Sequence, residues 1–262
     1  MHLKEDRPIT DAAEVAAFLG RLPLAIDRVR FTRFVLGFPH GYLETTSPAE
    51  VLKHFALVES LGARDSVSTL TPQSNGFKLV VVARDRHALF ARIALSVAAR
   101  GANIVRAEAI GNSEGLVLDT FHLSDPGGRL SQPEDRRRLQ GLIEESVGAA
   151  LDAAARQAAV PEACRARGPL VVSWGEGSIP GTTLLSLRGP DSVGLLGRIA
   201  RAIAECDCDI ALAHIDTPAG RVEDELHLTS EGGPLTAGVK ERVEAAIAAL
   251  DAWTTPLSPS RG

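Results

Sequence analysis

The feature that most constrains the fold of this chain is an internal repeat. Residues 79–123 and residues 185–228 align in register, apart from a one-residue difference in length. The matched pairs are Asp85 with Asp191, Leu89 with Leu195, Arg92 with Arg198, Ile93 with Ile199, Ile104 with Ile210, Ala107 with Ala213, Gly115 with Gly220, Asp119 with Asp224 and His122 with His227. Because the same residue types recur at the same spacing, the two segments are predicted to be copies of one structural unit.

Each copy shows the same order of predicted elements. A short apolar run, at residues 79–82 and 184–187, predicts a strand, and apolar residues four positions apart then predict a helix. Two strands joined by a turn follow, and then a second helix. A further strand precedes each copy, at residues 67–71 and 170–174. We therefore expect an α+β protein with two tandem ferredoxin-like ββαββα units, antiparallel sheets and helices on one face. Assignment of residues 170–174 to the first unit's sheet stays open.

The residues before the repeat have a different character. Amphipathic helices are predicted at residues 12–22 and 48–62, with an ordered turn between them. His54 on the second of these helices is interpreted as a surface or packing residue. The predicted organisation is a short helical N-terminal segment at residues 1–62, a first unit at residues 63–165 and a second unit at residues 166–262.

The composition argues against several classes of partner and cofactor. A formal net charge of -5 gives no global attraction to nucleic acid or to an anionic membrane. No apolar run approaches the roughly 20 residues that span a bilayer, and the charged start of the chain is unlike a signal peptide, so a cytoplasmic protein is expected. The three cysteines, Cys164, Cys206 and Cys208, do not form a disulfide framework or a set of metal ligands. We expect no metal and no cofactor.

The repeat also resembles a known family. Segments of both copies resemble the ACT-domain pattern. They are VARDRHALFARI and GANIVRAEAI in the first copy, and RGPDSVGLLGRI and CDIALAHIDT in the second. The tandem pairing of two such copies is similar to the C-terminal region of the bifunctional uridylyltransferase/uridylyl-removing enzymes of nitrogen regulation. Two segments share this similarity, SWGEGSIPGTTLLSLRGPDSVGLL and the upstream FPHGYLETTSPAEVLKHFALVESL. The resemblance covers about residues 35–250. It implies a regulatory role, in which ACT pairs bind an amino acid such as glutamine and control attached catalysis.

The catalytic motifs of that family are not found in this sequence. There is no glycine–serine nucleotidyltransferase motif followed by D-x-D carboxylates, and no adjacent His–Asp pair for a metal-dependent phosphohydrolase. P-loop, zincin and nucleophile-elbow motifs are absent too. The chain is therefore predicted to be a non-catalytic sensor, whose partner is a regulated enzyme or signalling protein.

The candidate ligand-binding residues lie in the loop that opens the first helix of each unit. In the first unit they are Asp85, Arg86, His87, Ala88, Leu89 and the strand residue Asn103, and in the second unit Asp191, Ser192, Val193, Gly194, Leu195 and Asp209. The free N–H groups and the dipole of a helix N-terminus favour a carboxylate, whereas an aspartate either receives an ammonium group or caps its own helix. Because the second loop keeps a glycine, we expect it to be sterically more open. If the units pack side by side, a ligand between them can use both loops.

A second functional hypothesis follows from departures from the family pattern. His87 and Ala88 stand where proline and glycine are usual, and Ser192 and Val193 replace arginine and proline. The alternative is therefore a ligand-independent interaction module with degenerate pockets, and a homodimer is left open. His122 and His227 are interpreted as exposed strand residues, and the arginines at 136–138 as a solvated helix face.

Overall fold

The fold is an α+β arrangement of eight strands and eight helices within residues 9–10, 12–20, 26–148 and 169–252, which are those described by the computed structural model. The helices are α1 (Ala12–Leu19), α2 (Arg28–Val35), α3 (Gly41–Thr45), α4 (Pro48–Leu61), α5 (Leu89–Ala99), α6 (Pro133–Gly148), α7 (Leu195–Glu205) and α8 (Ala237–Ala252). The strands are β1 (Ser66–Gln73), β2 (Gly76–Arg84), β3 (Asn103–Gly111), β4 (Leu116–Ser124), β5 (Val171–Glu176), β6 (Thr183–Pro190), β7 (Asp209–Asp216) and β8 (Arg221–Thr229).

All eight strands belong to one antiparallel sheet, in the order β1-β2-β4-β3-β7-β8-β6-β5. Each repeat supplies four adjacent strands in the predicted ββαββα order, so the predicted fold class is confirmed. The alternative wiring is wrong, because β5 pairs with β6 at the far edge of the sheet. The two units meet where β3 pairs with β7, from Arg106 opposite Asp216 to Ala109 opposite Ala213.

Helices α5 to α8 cover one face of this sheet and enclose the larger core. Side chains such as Leu79, Phe121, Leu185 and Leu226 are fully buried there, because the strands alternate apolar residues toward the helices. Helices α5 and α7 pack side by side across the junction between the units. The core is therefore continuous between the two repeats.

The N-terminal helices cover the opposite face over the first unit. Phe31, Phe34, Phe38 and Tyr42 form edge-to-face ring contacts and pack with strand residues such as Val82. The sequence predicted helices near both ends of this segment, and the residues between them form α2 and α3 as well as a turn. Asp27 and Ser47 accept hydrogen bonds from the first N–H groups of α2 and α4, which explains where these helices begin.

One histidine prediction is wrong. His227 is 3% exposed, and its ring lies between strand and loop, with Nδ1 3.2 Å from Thr182 Oγ1. Its counterpart His122 is partly buried. The loop before β6 covers β8 at this position, which a strand-alternation pattern does not reveal.

The cysteines of the C-x-C pair are buried free thiols, and burial raises the pKa of Cys208 to about 11. Cys164 and the predicted boundary at residues 165–166 lie outside the described residues, as do Leu22 and Leu151 of the predicted helices. Within the described ranges, no cluster of histidine, cysteine or carboxylate side chains is arranged to hold a metal ion. No described helix has the length and apolarity needed to cross a membrane.

Gly197 sets the close approach of α5 and α7. A Cβ atom there would lie 3.1 Å from the Leu95 nitrogen and 3.2 Å from the Ala94 carbonyl carbon, and backbone cannot yield as a side chain does. We expect Gly197→Ala to lower the free energy of unfolding by about 1–3 kcal/mol through overpacking. Gly141→Ala in α6, where nothing lies within 4 Å of the added Cβ, is the matched control. It should raise that free energy by about 0.5–1 kcal/mol. Urea unfolding checks both, and equal effects of the two substitutions would contradict the packing argument.

Candidate functional site

The junction between the units brings the first loop beside the start of β7. The end of β3 lies next to the beginning of β7, because the two strands are antiparallel neighbours. His87 Nδ1 consequently lies 2.8 Å from Asp209 Oδ1, across the boundary between the repeats. A cavity of about 270 Å³ lies at this junction. Its walls come from loop 85–91, from β3 and β4, and from α7 and β7 of the other unit.

The first turn of α5 presents unsatisfied backbone donors. Ala88 stands at the N-cap with φ 60°, and no side chain caps the helix. The N–H of Leu89 donates to the Arg86 carbonyl at 3.2 Å. The N–H groups of Phe90 and Ala91, which line the cavity, have no hydrogen-bond partner within the described chain. This end of the cavity therefore favours a negatively charged group.

A buried carboxyl group lies on another wall of the same cavity. Asp119 on β4 is 1% exposed, and neither of its oxygens has a hydrogen-bond partner among the described residues. Burial, and then the neighbouring Asp85, raise the pKa of Asp119 well above its ordinary value. The pKa of Asp85 is itself raised, first by burial and then by Asp209. Three acidic groups thus face a cavity that has unpaired helix donors at another side.

Arg86 holds the loop in place. Its Nη2 lies 2.9 Å from Asp65 Oδ1, and its Nη1 donates to the Val147 carbonyl at 2.5 Å. These contacts connect the loop to the entry of β1 and to the end of α6. Both terminal nitrogens of the guanidinium therefore already contact protein groups, although Arg86 also lines the cavity.

The second loop meets the first unit in the mirrored way. Asn103 Nδ2, at the start of β3, donates to Asp191 Oδ2 at 2.6 Å. Burial raises the pKa of Asp191, and the hydrogen bond from Asn103 opposes that shift. Gly194 has φ 79° at the N-cap of α7, followed by Leu195, and Ser192 Oγ accepts a bond of 3.4 Å from Arg198. Val193 is partly buried in the same loop.

The structure thus joins each loop to the strand residue of the other unit. The sequence grouped Asn103 with the first loop and Asp209 with the second, whereas contacts pair Asn103 with Asp191 and Asp209 with His87. The second loop was expected to be the more open one. The cavity described above lies at the first loop, and at the second loop the Asn103 amide donates to the Asp191 carboxylate, so the greater openness of the second loop stays a prediction.

Sequence reasoning missed Asp119 and its counterpart Asp224. Asp224 is 3% exposed, its Oδ1 has no partner among the described residues, and burial followed by Asp191 raises its pKa well above the usual range. The signal was present in the sequence. An aspartate occupies the apolar phase of an alternating strand in both copies.

Several curated relatives of the chain share one enzyme name, while no protein-family model matches the chain. The bifunctional uridylyltransferase/uridylyl-removing enzyme of Phenylobacterium zucineum is 29% identical over 248 residues, which are 92% of this chain and 26% of that enzyme. The enzyme of Caulobacter vibrioides is 29% identical over 78% of this chain and 23% of its own length. That of Ralstonia nicotianae is 32% identical over 59% of this chain and 19% of its own length.

The resemblance predicted from the repeat is therefore confirmed: the chain has homologues among bifunctional uridylyltransferase/uridylyl-removing enzymes. It spans about a quarter of the length of the curated relatives it matches. Among solved structures, aspartate kinase from Synechocystis aligns with 67% of this chain and 26% of its own, at 14% identity and a TM-score of 0.38.

The two N-cap residues provide a matched pair of substitutions. Ala88 adopts the left-handed conformation with φ 60°, and Gly194 adopts it with φ 79°. Because that conformation costs an L-residue roughly 1–2 kcal/mol, Ala88→Gly should raise the free energy of unfolding by about 0.5–1 kcal/mol. Gly194→Ala should lower it by roughly 1 kcal/mol for the same reason. Urea denaturation measures both values, and a stabilising Gly194→Ala would contradict the argument.

Asp119 should make folding stability depend on pH. The folded chain keeps the proton on this carboxyl at pH values where the unfolded chain, with an aspartate pKa of about 3.9, has lost it. Stability therefore falls as pH rises above the unfolded value. Asp119→Asn removes that loss, so its melting temperature relative to the parent should increase as pH rises above about 4. Glu223→Gln, at an exposed position of β8, is the control and should show no such trend.

Proposed function

We propose that this chain is a non-catalytic regulatory region that binds a small zwitterion, an amino acid of the glutamine type, at the junction between loop 85–91 and β7. The observation that carries the proposal is the buried Asp119, unpartnered among the described residues, in a cavity also lined by Phe90 and Ala91, whose N–H groups have no partner in the described chain. The homology to bifunctional uridylyltransferase/uridylyl-removing enzymes supports a role in nitrogen or amino-acid metabolism.

The polarity of the cavity fits a zwitterion. A ligand carboxylate would accept from the N–H groups of Phe90 and Ala91 and would be stabilised by the α5 dipole. An ammonium group would restore the charge balance around Asp119, which otherwise lacks both a donor and a counter-ion within the described residues. A volume of about 270 Å³ lies below the range of about 300–1,000 Å³ typical of drug-sized ligands, in agreement with a small metabolite.

Binding at this place would couple the two units. The cavity takes walls from both repeats, so a bound ligand would stabilise one relative position of loop 85–91 and β7. A regulated partner that contacts both units would sense that position. Such a partner, either a catalytic region or a separate signalling protein, is part of the proposal.

The ligand-independent interaction module remains the second candidate function. The His87–Asp209 and Asn103–Asp191 contacts favour it, because they link the two units through the protein's own side chains. In that function the junctions would serve only to hold the sheet together. Sedimentation with and without amino acids separates the candidates, since only a sensor changes its assembly or shape on addition of the ligand.

Calorimetric titration with each of the twenty proteinogenic amino acids tests the sensor. We expect one of them, glutamine or a close relative, to bind to the parent chain at millimolar concentration or below. Asp119→Asn should weaken that binding at least about tenfold, equivalent to about 1.4 kcal/mol, because the ammonium group loses its charged partner. Asp224→Asn, which changes the corresponding residue of the other unit, is the matched control and should retain binding.

The same titration should depend on pH. Because the pKa of Asp119 is raised in the free protein, an ammonium group must drive its deprotonation, so affinity should increase as pH rises toward that pKa. Asp119→Asn should abolish this dependence. A folded parent chain that binds none of the amino acids at millimolar concentration would contradict the proposed function.

A further inference from the structure

A second cavity lies on the face of the sheet that the N-terminal helices cover. Its volume is about 350 Å³, and it is separate from the junction between the units. Helices α3 and α4 form one side of it, and strands β2, β3 and β4 form the other. Its polar lining includes Tyr42, Glu50, His54, Lys78, Glu108 and Thr120. If these positions served only to pack the core, apolar side chains would be expected here, as at the neighbouring Val80 and Val82.

His54 is a buried polar group of this lining. It is 5% exposed, and its Nδ1 lies 3.0 Å from the hydroxyl of Tyr42. Burial lowers the pKa of His54 to about 4 and raises that of Tyr42 well above 10, so both groups are neutral at neutral pH. The neutral imidazole has one N–H and one bare nitrogen. We assign the hydroxyl as the donor to Nδ1 and the ring proton to Nε2, because the other tautomer would leave both the hydroxyl proton and Nε2 without a partner among the described residues.

The Nε2–H of His54 is therefore a donor without an acceptor. It is buried, and no described residue accepts from it. An unsatisfied buried donor costs about 1–3 kcal/mol, so a structure that retains one calls for an explanation. A ligand oxygen in the cavity would satisfy this group, and the ammonium group of Lys78 in the same lining would add a positive charge beside it.

Glu108 adds an acidic group to the same cavity, opposite in charge to Lys78. Its carboxylate forms no hydrogen bond or ion pair with a described residue, whereas Lys78 lies 3.2 Å from Glu50 Oε2. Burial raises the pKa of Glu108, and the nearby charges of His214 and then Lys78 oppose that shift. The carboxylate would gain from a cationic group placed in the cavity.

We propose that this cavity is a second ligand site, in which a small zwitterion of the amino-acid class directs a carboxylate to His54 Nε2 and Lys78 and an ammonium group to Glu108. The site is distinct from the one at the junction, because the two cavities share a single lining residue, Ile110, and lie on opposite faces of the sheet. A ligand here would link the N-terminal helices to the first unit. Occupancy would then be communicated through α3 and α4, independently of the contact between the units.

The experiment titrates the Asp119→Asn chain with each of the twenty proteinogenic amino acids by calorimetry. We expect a remaining binding event in this background, and Glu108→Gln should weaken it at least tenfold. His54→Phe, which keeps a ring but removes the Nε2 donor, should weaken it as well. Melting temperatures confirm that the variants are folded, and Glu108→Gln, which keeps shape and size, remains informative if His54→Phe does not fold. Glu114→Gln, at an exposed turn, is the control and should bind as before.

The outcomes separate this site from the first one. Binding in the parent that Asp119→Asn abolishes and Glu108→Gln leaves intact would overturn the second site and support the first. Binding that only Glu108→Gln abolishes would support the second and contradict the first. The deaminated and decarboxylated analogues of the amino acid that binds should each lose at least tenfold in affinity, and full binding of either would overturn the zwitterion assignment. Absence of any binding to the parent would overturn both sites.

Discussion

The pairing of β3 with β7 is the interaction on which the rest of the structure depends. It joins the two repeats into one eight-stranded sheet and fixes their register through Ala109 opposite Ala213. Because these strands are antiparallel, the end of β3 lies at the start of β7, and each helix-opening loop meets a strand of the other unit. The same register brings α5 against α7, where Gly197 allows their close approach. The composite character of the site therefore follows from the register of β3 and β7.

The buried aspartates are best understood as groups that lower stability. Asp119 and Asp224 occupy positions where an apolar side chain would pack between strand and helix, and both carry oxygens without a partner among the described residues. Placing a carboxyl group there costs free energy whether it is ionised or protonated. A fold that repeats this cost in both units points to a use for the group, and the use that fits the first unit is to meet a cation in the adjacent cavity.

The sequence predicted the units well because their signals are local. Apolar runs, helical periodicity and the repeat itself predicted the ββαββα order that the structure contains. The composite site was harder to predict, since it depends on the pairing of β3 with β7, and that pairing joins residues that lie about a hundred positions apart in the chain. Because of this strand pairing, Asn103 of the first unit contacts the second loop and Asp209 of the second unit contacts the first loop. His54 and Glu108 are separated in the chain, and only the packing of α4 on the sheet places them in one cavity.

The two junctions have diverged in a complementary way. At the first, a loop histidine meets a strand aspartate, and at the second a strand amide donates to a loop aspartate. Each junction thus combines a nitrogen group with a carboxylate, but the carboxylate lies on the strand in one and on the loop in the other. The aspartate that opens β7 adds a third acidic residue to the first cavity, whereas the one in the second loop is bonded to the amide. Both of these carboxylates already have a protein partner, so the group at the first junction that remains available to a cation is Asp119, whose oxygens have no partner among the described residues.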